Sequence, residues 1–275
     1  MPSVPPEIND TPARTWVTAG VEDGPVSQAE VRLEGHHYGS HGPWIVLRTV
    51  RDLVRGFFAL HFVGPCATVF GSARVPEGHP AYALARQLGR ELGRLGFTVM
   101  TGGGPGLMEA ANRGARDVGA CSVGCNIELP MEQTANPYLD HLVTCRYFFA
   151  RKVLLFKYSY AFVALPGGFG TMDELFEALT LIQTRKIVEL PVVLMGTTYW
   201  RPLVRQLVQM ISADTVEPEE MKTLLVTDDP DEAIAHIRLH AIERFGLRAR
   251  PKSGRPRWFG RAGRRHGPAA RGEAP

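Results

Sequence analysis

Glu174 and Arg151 are the side chains of this 275-residue sequence best suited by type and place to act on a bound phosphate ester. Glu174 stands just after Pro166-Gly167-Gly168-Phe169-Gly170-Thr171. An apolar run, Ala161 to Leu165, leads into that stretch, and an apolar, acid-flanked pattern, Leu175 to Ile182, leaves it. A strand that ends in a glycine turn and opens a helix is a place to hold an anion. Bare glycines let backbone N–H groups approach, and the helix N-terminus adds partial positive charge. A carboxylate one turn inside the helix then lies near whatever the phosphate is attached to, which suits chemistry on a sugar phosphate. Thr171 and Glu174 also spell the Thr-x-x-Glu capping box, in which the carboxylate only bonds the Thr171 N–H. That alternative leaves Gly167, Gly168 and Gly170 together unexplained. Glu177 shares a helix face with Glu174 by its spacing. Arg151 and Lys152 sit early in a preceding helical pattern, where cations oppose the helix dipole. A guanidinium there can hold a phosphate, a ribose or a carboxylate; the alternative is a solvated surface pair.

Two further glycine loops follow apolar runs. In Gly71-Ser72-Ala73-Arg74, Ser72 offers a hydroxyl and Arg74 a cation, against the alternative of a generic turn. In Thr101-Gly102-Gly103-Gly104-Pro105-Gly106-Leu107-Met108-Glu109, four glycines imply unusual dihedrals or backbone contact with a ligand. Ser72, Gly103, Gly104, Met108 and Lys152 are therefore candidate nucleotide contacts. Counting from Gly102, the sixth place of a dinucleotide fingerprint is Leu107, and no Gly-Lys-Ser/Thr follows. NAD enzymes and NTPases both lose support. Glu109 either faces a ligand or favours the helix start.

These loops need a rigid frame, and the pattern around them supplies one. Strands are expected at 66–70, 97–101, 122–127, 142–146, 162–165, 191–195 and 224–227. Helices are expected at 44–60, 80–95, 105–118, 149–160, 171–184, 200–212 and 231–243. Strands alternating with helices build an α/β fold, a Rossmann-like doubly wound parallel sheet with helices on both faces. Its ligands bind beyond the carboxyl ends of the strands, where the strand order reverses.

The organisation read from the chain is a loose segment at 1–45, one catalytic domain at 46–247 and a flexible basic tail at 248–275. The tail holds nine Lys/Arg against Glu273, so of the chain's net +3 it carries +8 and the rest −5. That argues against a nucleic-acid-binding body and leaves the tail as the one segment for weak contact with nucleic acid. Cys66, Cys121, Cys125 and Cys145 read as small buried hydrophobes rather than a zinc site. His36, His37 and His41 read as loop histidines. No secretory signal is legible and the longest apolar stretch is too short to span a bilayer, so a cytoplasmic protein with no membrane partner is expected. No metal and no cofactor is expected.

The glycine run with Gly106-Leu107-Met108, then Arg151-Lys152, then Pro166-Gly167-Gly168-x-Gly170-Thr171-x-x-Glu174 resembles the LONELY GUY (LOG) phosphoribohydrolases, once labelled lysine decarboxylases. The resemblance spans about Cys66 to Ile237. The runs Asn126 to Pro130 and Phe176 to Thr180 look like the longer bacterial subgroup. It implies hydrolysis of the N-glycosidic bond of a nucleoside 5′-monophosphate to a free base and ribose 5-phosphate, with cytokinin ribotides or AMP as substrates. It makes Arg151 and Glu174 the catalytic pair, and Gly167, Gly168, Gly170 and Thr171 the phosphate cradle. It also implies a homodimer with sites near the subunit interface. The alternative on the same fold is a non-catalytic nucleotide or cofactor carrier.

Overall fold

Seven apolar runs become seven parallel strands, and a helix follows nearly every one. The computed structural model describes residues 42–128 and 134–247. In chain order the elements are α1 (Gly42–Leu60), β1 (Cys66–Phe70), α2 (Pro80–Arg94), β2 (Thr98–Thr101), α3 (Leu107–Asp117), β3 (Ser122–Ile127), β4 (His141–Cys145), α4 (Phe148–Tyr158), β5 (Ser159–Ala164), α5 (Phe169–Gln183), β6 (Val192–Met195), α6 (Thr197–Ser212), β7 (Leu224–Thr227) and α7 (Pro230–Ile237). A 3-10 turn at Pro218–Met221 precedes β7, and α7 runs on as a π-helix at Arg238–Glu243.

The sheet order is β4-β3-β2-β1-β5-β6-β7, with every pair parallel. The chain winds outward from β1 to β4, returns to β5 on the other side of β1, and winds outward again. The reversal therefore falls between β1 and β5, and their carboxyl ends open the crevice where such sheets bind ligands. Strands β1, β2, β3 and β6 are buried at every position, as strands covered on both faces must be, while the edge strands β4 and β7 are not. One core layer gathers Phe162, Leu154, Leu175 and Trp200; the other gathers Val69, Leu88, Leu92 and Val163.

Helix α1 starts inside the stretch expected to be loose. It rests on α4, where a Cβ at Gly56 would lie 2.2 Å from Leu154 Cδ1 and the Tyr158 hydroxyl donates to the Phe57 carbonyl (3.3 Å), and on the turn before α4, where Asp52 accepts from the Arg146 N–H (2.9 Å). The three histidines at 36, 37 and 41, the basic tail and residues 129–133 lie outside the described residues. All four cysteines are free; Cys66, Cys125 and Cys145 are buried and Cys121 half-buried.

Candidate active site

Three loops meet at the β1/β5 crevice, and Ser72 joins them. Its N–H donates to the Pro166 carbonyl and its carbonyl accepts from the Leu107 N–H, both at 3.0 Å. The fit is backbone on backbone. Gly106 has φ +72°, and a Cβ there would lie 2.5 Å from the Ser72 oxygen, so only glycine serves. The Ser72 hydroxyl itself accepts from the Arg74 N–H at 3.1 Å.

The 102–106 loop rests on a buried amide network. The Thr101 hydroxyl donates to Asn112 Oδ1 (2.6 Å) and accepts from the Gly103 N–H (2.9 Å). Asn112 Nδ2 donates to the Ser122 hydroxyl (2.8 Å). Asn136 donates from Nδ2 to Asn112 Oδ1 and to the Gly104 carbonyl, and from its N–H to the Gly103 carbonyl. Gly103 and Gly104 are thus buried with both carbonyls engaged, while Met108 is half-buried beside Gly102. Glu109 accepts from the Tyr82 hydroxyl at 2.9 Å. Asn112, Asn136 and Tyr82 had no sequence signal beyond polar residues set among apolar helix and loop positions.

The 166–171 loop has a different character. Helix α5 begins at Phe169 with Gly168 as its N-cap and no side-chain cap. Its first intrahelical bonds run from the Thr171 and Met172 N–H groups to the Gly168 carbonyl. The N–H groups of Gly168, Phe169 and Gly170 therefore lie ahead of the helical ladder. A Cβ at Gly167 would strike Thr171 Oγ1 at 2.1 Å, whereas at Gly168 and Gly170 it would meet nothing within 4 Å. Gly167 is required by packing; Gly168 and Gly170 leave room in front of the helix.

Glu174 does not cap α5. Its carboxylate is taken by Arg151 across 23 residues of sequence: Arg151 Nη2 donates to Glu174 Oε1 at 2.5 Å. Glu174 is 2 % exposed and the Arg151 side chain 14 %. The Arg151 guanidinium also lies over the Phe148 ring, 5.8 Å from its centroid. Among the described residues three buried side-chain polar atoms lack a hydrogen-bond partner, and two of them are Arg151 Nε and Glu174 Oε2. The pair holds itself together yet leaves one donor and one acceptor uncommitted, a state that is costly in a buried site unless something else engages them. Burial pushes the Glu174 carboxyl above its ordinary range, against the pull of Arg151 and Lys152.

Lys152 stitches the same two helices from outside, 2.9 Å from Asp173 and 2.5 Å from Glu177. Partial burial works against its ammonium, but the contacts with Glu177 and Asp173 outweigh this and raise its pKa. Along the outer side of α5 runs an open groove of about 690 Å³, lined by Phe169, Met172, Asp173, Phe176, Glu177, Thr180 and Leu181. Phe169 is 95 % exposed there.

A family profile described as "Possible lysine decarboxylase" matches residues 108–237. The cytokinin riboside 5′-monophosphate phosphoribohydrolase of Rhodococcoides fascians is 32% identical over 177 residues, which span 62% of this chain and 88% of that protein. The enzyme of the same name from Mycobacterium tuberculosis is 31% identical over 156 residues, 55% of this chain and 82% of that protein. Among solved structures, the structural-genomics protein TM1055 superposes with a TM-score of 0.51 at 27% identity, covering 64% of this chain and 99% of its own. A molybdenum cofactor carrier protein from Chlamydomonas reinhardtii, with a TM-score of 0.47 and 24% identity over 66% of this chain and 99% of its own, is too distant to bear on function. With a relative at this identity covered over nearly its whole length, and with the Arg151–Glu174 pair set beside the glycine loop, the chain belongs to the LOG family.

Proposed function

We propose that this protein hydrolyses the N-glycosidic bond of a purine nucleoside 5′-monophosphate, a cytokinin riboside 5′-monophosphate or AMP, releasing the free base and ribose 5-phosphate. The observation that carries the reading is the buried Arg151–Glu174 pair, one helical turn from an open glycine cradle, with Oε2 and Nε both uncommitted. The 5′-phosphate sits on the N–H groups of Gly168, Phe169 and Gly170, with the Thr171 hydroxyl beside them. Ser72 and Met108 are assigned to the rest of the nucleotide site, with Gly103 and Gly104 behind them in the buried 102–106 loop and Lys152 bracing α4 against α5 from outside. Anchoring the phosphate fixes the sugar over Glu174, so binding energy from a remote group orients the reacting carbon.

Cleavage sends the C1′–N electron pair to the base and builds positive charge on the ribose ring. The Glu174 carboxylate opposes that charge through Oε2. It then accepts a proton from the water whose oxygen bonds C1′, and passing that proton to the base nitrogen that left with the electron pair regenerates the carboxylate. Arg151 holds Oε1 and so aims Oε2, and its Nε–H is left to hydrogen-bond the ribose or the departing base. No step needs a metal or a cofactor. A decarboxylase working through a lysine Schiff base would need a neutral amine. Lys152 is held as an ammonium by two carboxylates, and Lys157 is exposed. We place the enzyme in the cytoplasm as a homodimer; among the described residues no helix is long and apolar enough to cross a membrane.

The test is base release from a panel of nucleoside 5′-monophosphates with adenosine as control. We expect AMP or a prenylated AMP to yield base and ribose 5-phosphate, and adenosine to react at least about a hundredfold more slowly in kcat/KM, because the cradle has no phosphate to grip. Equal rates for adenosine and AMP would remove the cradle. Binding without release would leave a nucleotide carrier.

A further inference from the structure

We propose that Tyr199 is a positioning residue for the phosphate loop: its hydroxyl holds the Gly167 carbonyl outward and so turns the Gly168 N–H toward the bound anion. The inference rests on the reading of 166–171 as the phosphate cradle. Tyr199 lies in the first turn of α6, beyond the next strand of the sheet, and its Oη donates to the Gly167 carbonyl. In a planar trans peptide the C=O of one residue and the N–H of the next point in opposite directions. No cis peptide occurs among the described residues. Fixing the Gly167 oxygen therefore fixes where the Gly168 N–H points. This peptide also needs fixing. It lies between two glycines, the residues with the widest backbone freedom, and turned over it would present its oxygen to the phosphate instead of its donor.

The phenol stands on a turn that is itself held in place. Its ring stands edge-on to Trp200, with centroids 4.9 Å apart at 89°. Trp200 is fully buried and its Nε1 donates to the Met195 carbonyl at 3.0 Å. Gly196, with φ +105°, starts the turn into α6 and brings it against the loop: a Cβ there would lie 3.3 Å from Pro166 Cγ. Asp228 accepts from the Thr197 N–H at 2.8 Å and secures the start of α6. Tyr199 is 42 % exposed, and a hydroxyl this wet adds little to folding by hydrogen bonding to a carbonyl that water could also serve. Its effect belongs in ligand binding.

Tyr199→Phe keeps the ring and its contact with Trp200 and removes only the oxygen. Calorimetric titration of the full-length protein with ribose 5-phosphate should show binding weakened about tenfold, the loss of one well-placed donor to a charged group. The kcat/KM for AMP should fall by a similar factor while that for adenosine and the melting temperature stay unchanged. Equal ribose 5-phosphate affinity in the two proteins, or equal losses for AMP and adenosine, would overturn the inference and leave the cradle standing. A wild-type protein that binds neither ribose 5-phosphate nor AMP would overturn the cradle and this inference with it.

Discussion

At the residue scale the site is a contest over one carboxyl group. Burial raises the Glu174 pKa and the neighbouring cations, Arg151 first, pull it back. A base must be ionised to act. A raised pKa therefore places the acid limb of kcat/KM above the ordinary carboxylate range, and activity is lost as pH falls through it. Arg151→Gln removes the strongest downward pull, so its acid limb should move to higher pH. A pH profile of base release measures this; a limb that stays put or moves down would mean that Arg151 does not act on Glu174. The pairing of these two residues was legible in type and in motif. Its geometry was not: the Thr171-x-x-Glu174 spacing also fits a cap, and only the helix start at Phe169 and the reach of Arg151 show that the carboxylate is turned elsewhere.

At the element scale, three strand ends contribute three loops of different kinds. The 102–106 loop is internally satisfied by Asn112 and Asn136, whereas the 166–171 loop is open in front of Gly168 and Gly170. Gly170 gives a clean test, because glycine inside a helix is worse than alanine by about 0.5–1 kcal/mol. Gly170→Ala should raise the melting temperature by about 1–4 °C, since nothing there resists a methyl group, while weakening nucleotide binding. Gly167→Ala should lower it, since its Cβ would collide with Thr171. Thermal unfolding and nucleotide titration separate the two; a Gly170→Ala protein that binds as well as wild type would show that the open space is not used. Most elements were readable because a strand buried on both faces is a continuous apolar run, and β1 and β3 fall where the pattern put them. What joins them was not readable. The Asn112–Asn136 contact spans 24 residues and the Tyr199–Gly167 contact 32, and no local pattern reports such bonds. The π-helix at 238–243 was likewise hidden inside an apparently continuous helix.

At the scale of the whole molecule, α1 is apolar on two sides. One side packs on α4, and the other presents Leu47, Val50, Val54 and Phe58 to solvent, between 46 % and 70 % exposed. A second apolar stripe on a helix calls for cover, and the homodimer proposed above would seat its partner on this face, beside the helix that carries Arg151. Light scattering should give about twice the 30.3 kDa chain mass, and a Val54→Asp, Phe58→Asp double substitution should give the monomer with its helical content intact. A wild-type monomer, or a dimer indifferent to the substitutions, would remove this role for α1.

The most direct measurement compares base release by the wild-type protein and by Glu174→Gln, with nucleotide binding followed in parallel. The account predicts free adenine or prenylated adenine and ribose 5-phosphate from the wild type. Turnover by the variant should fall by at least about a hundredfold, the usual worth of a general base, with affinity for the nucleotide largely kept. Near-normal turnover by Glu174→Gln would contradict it.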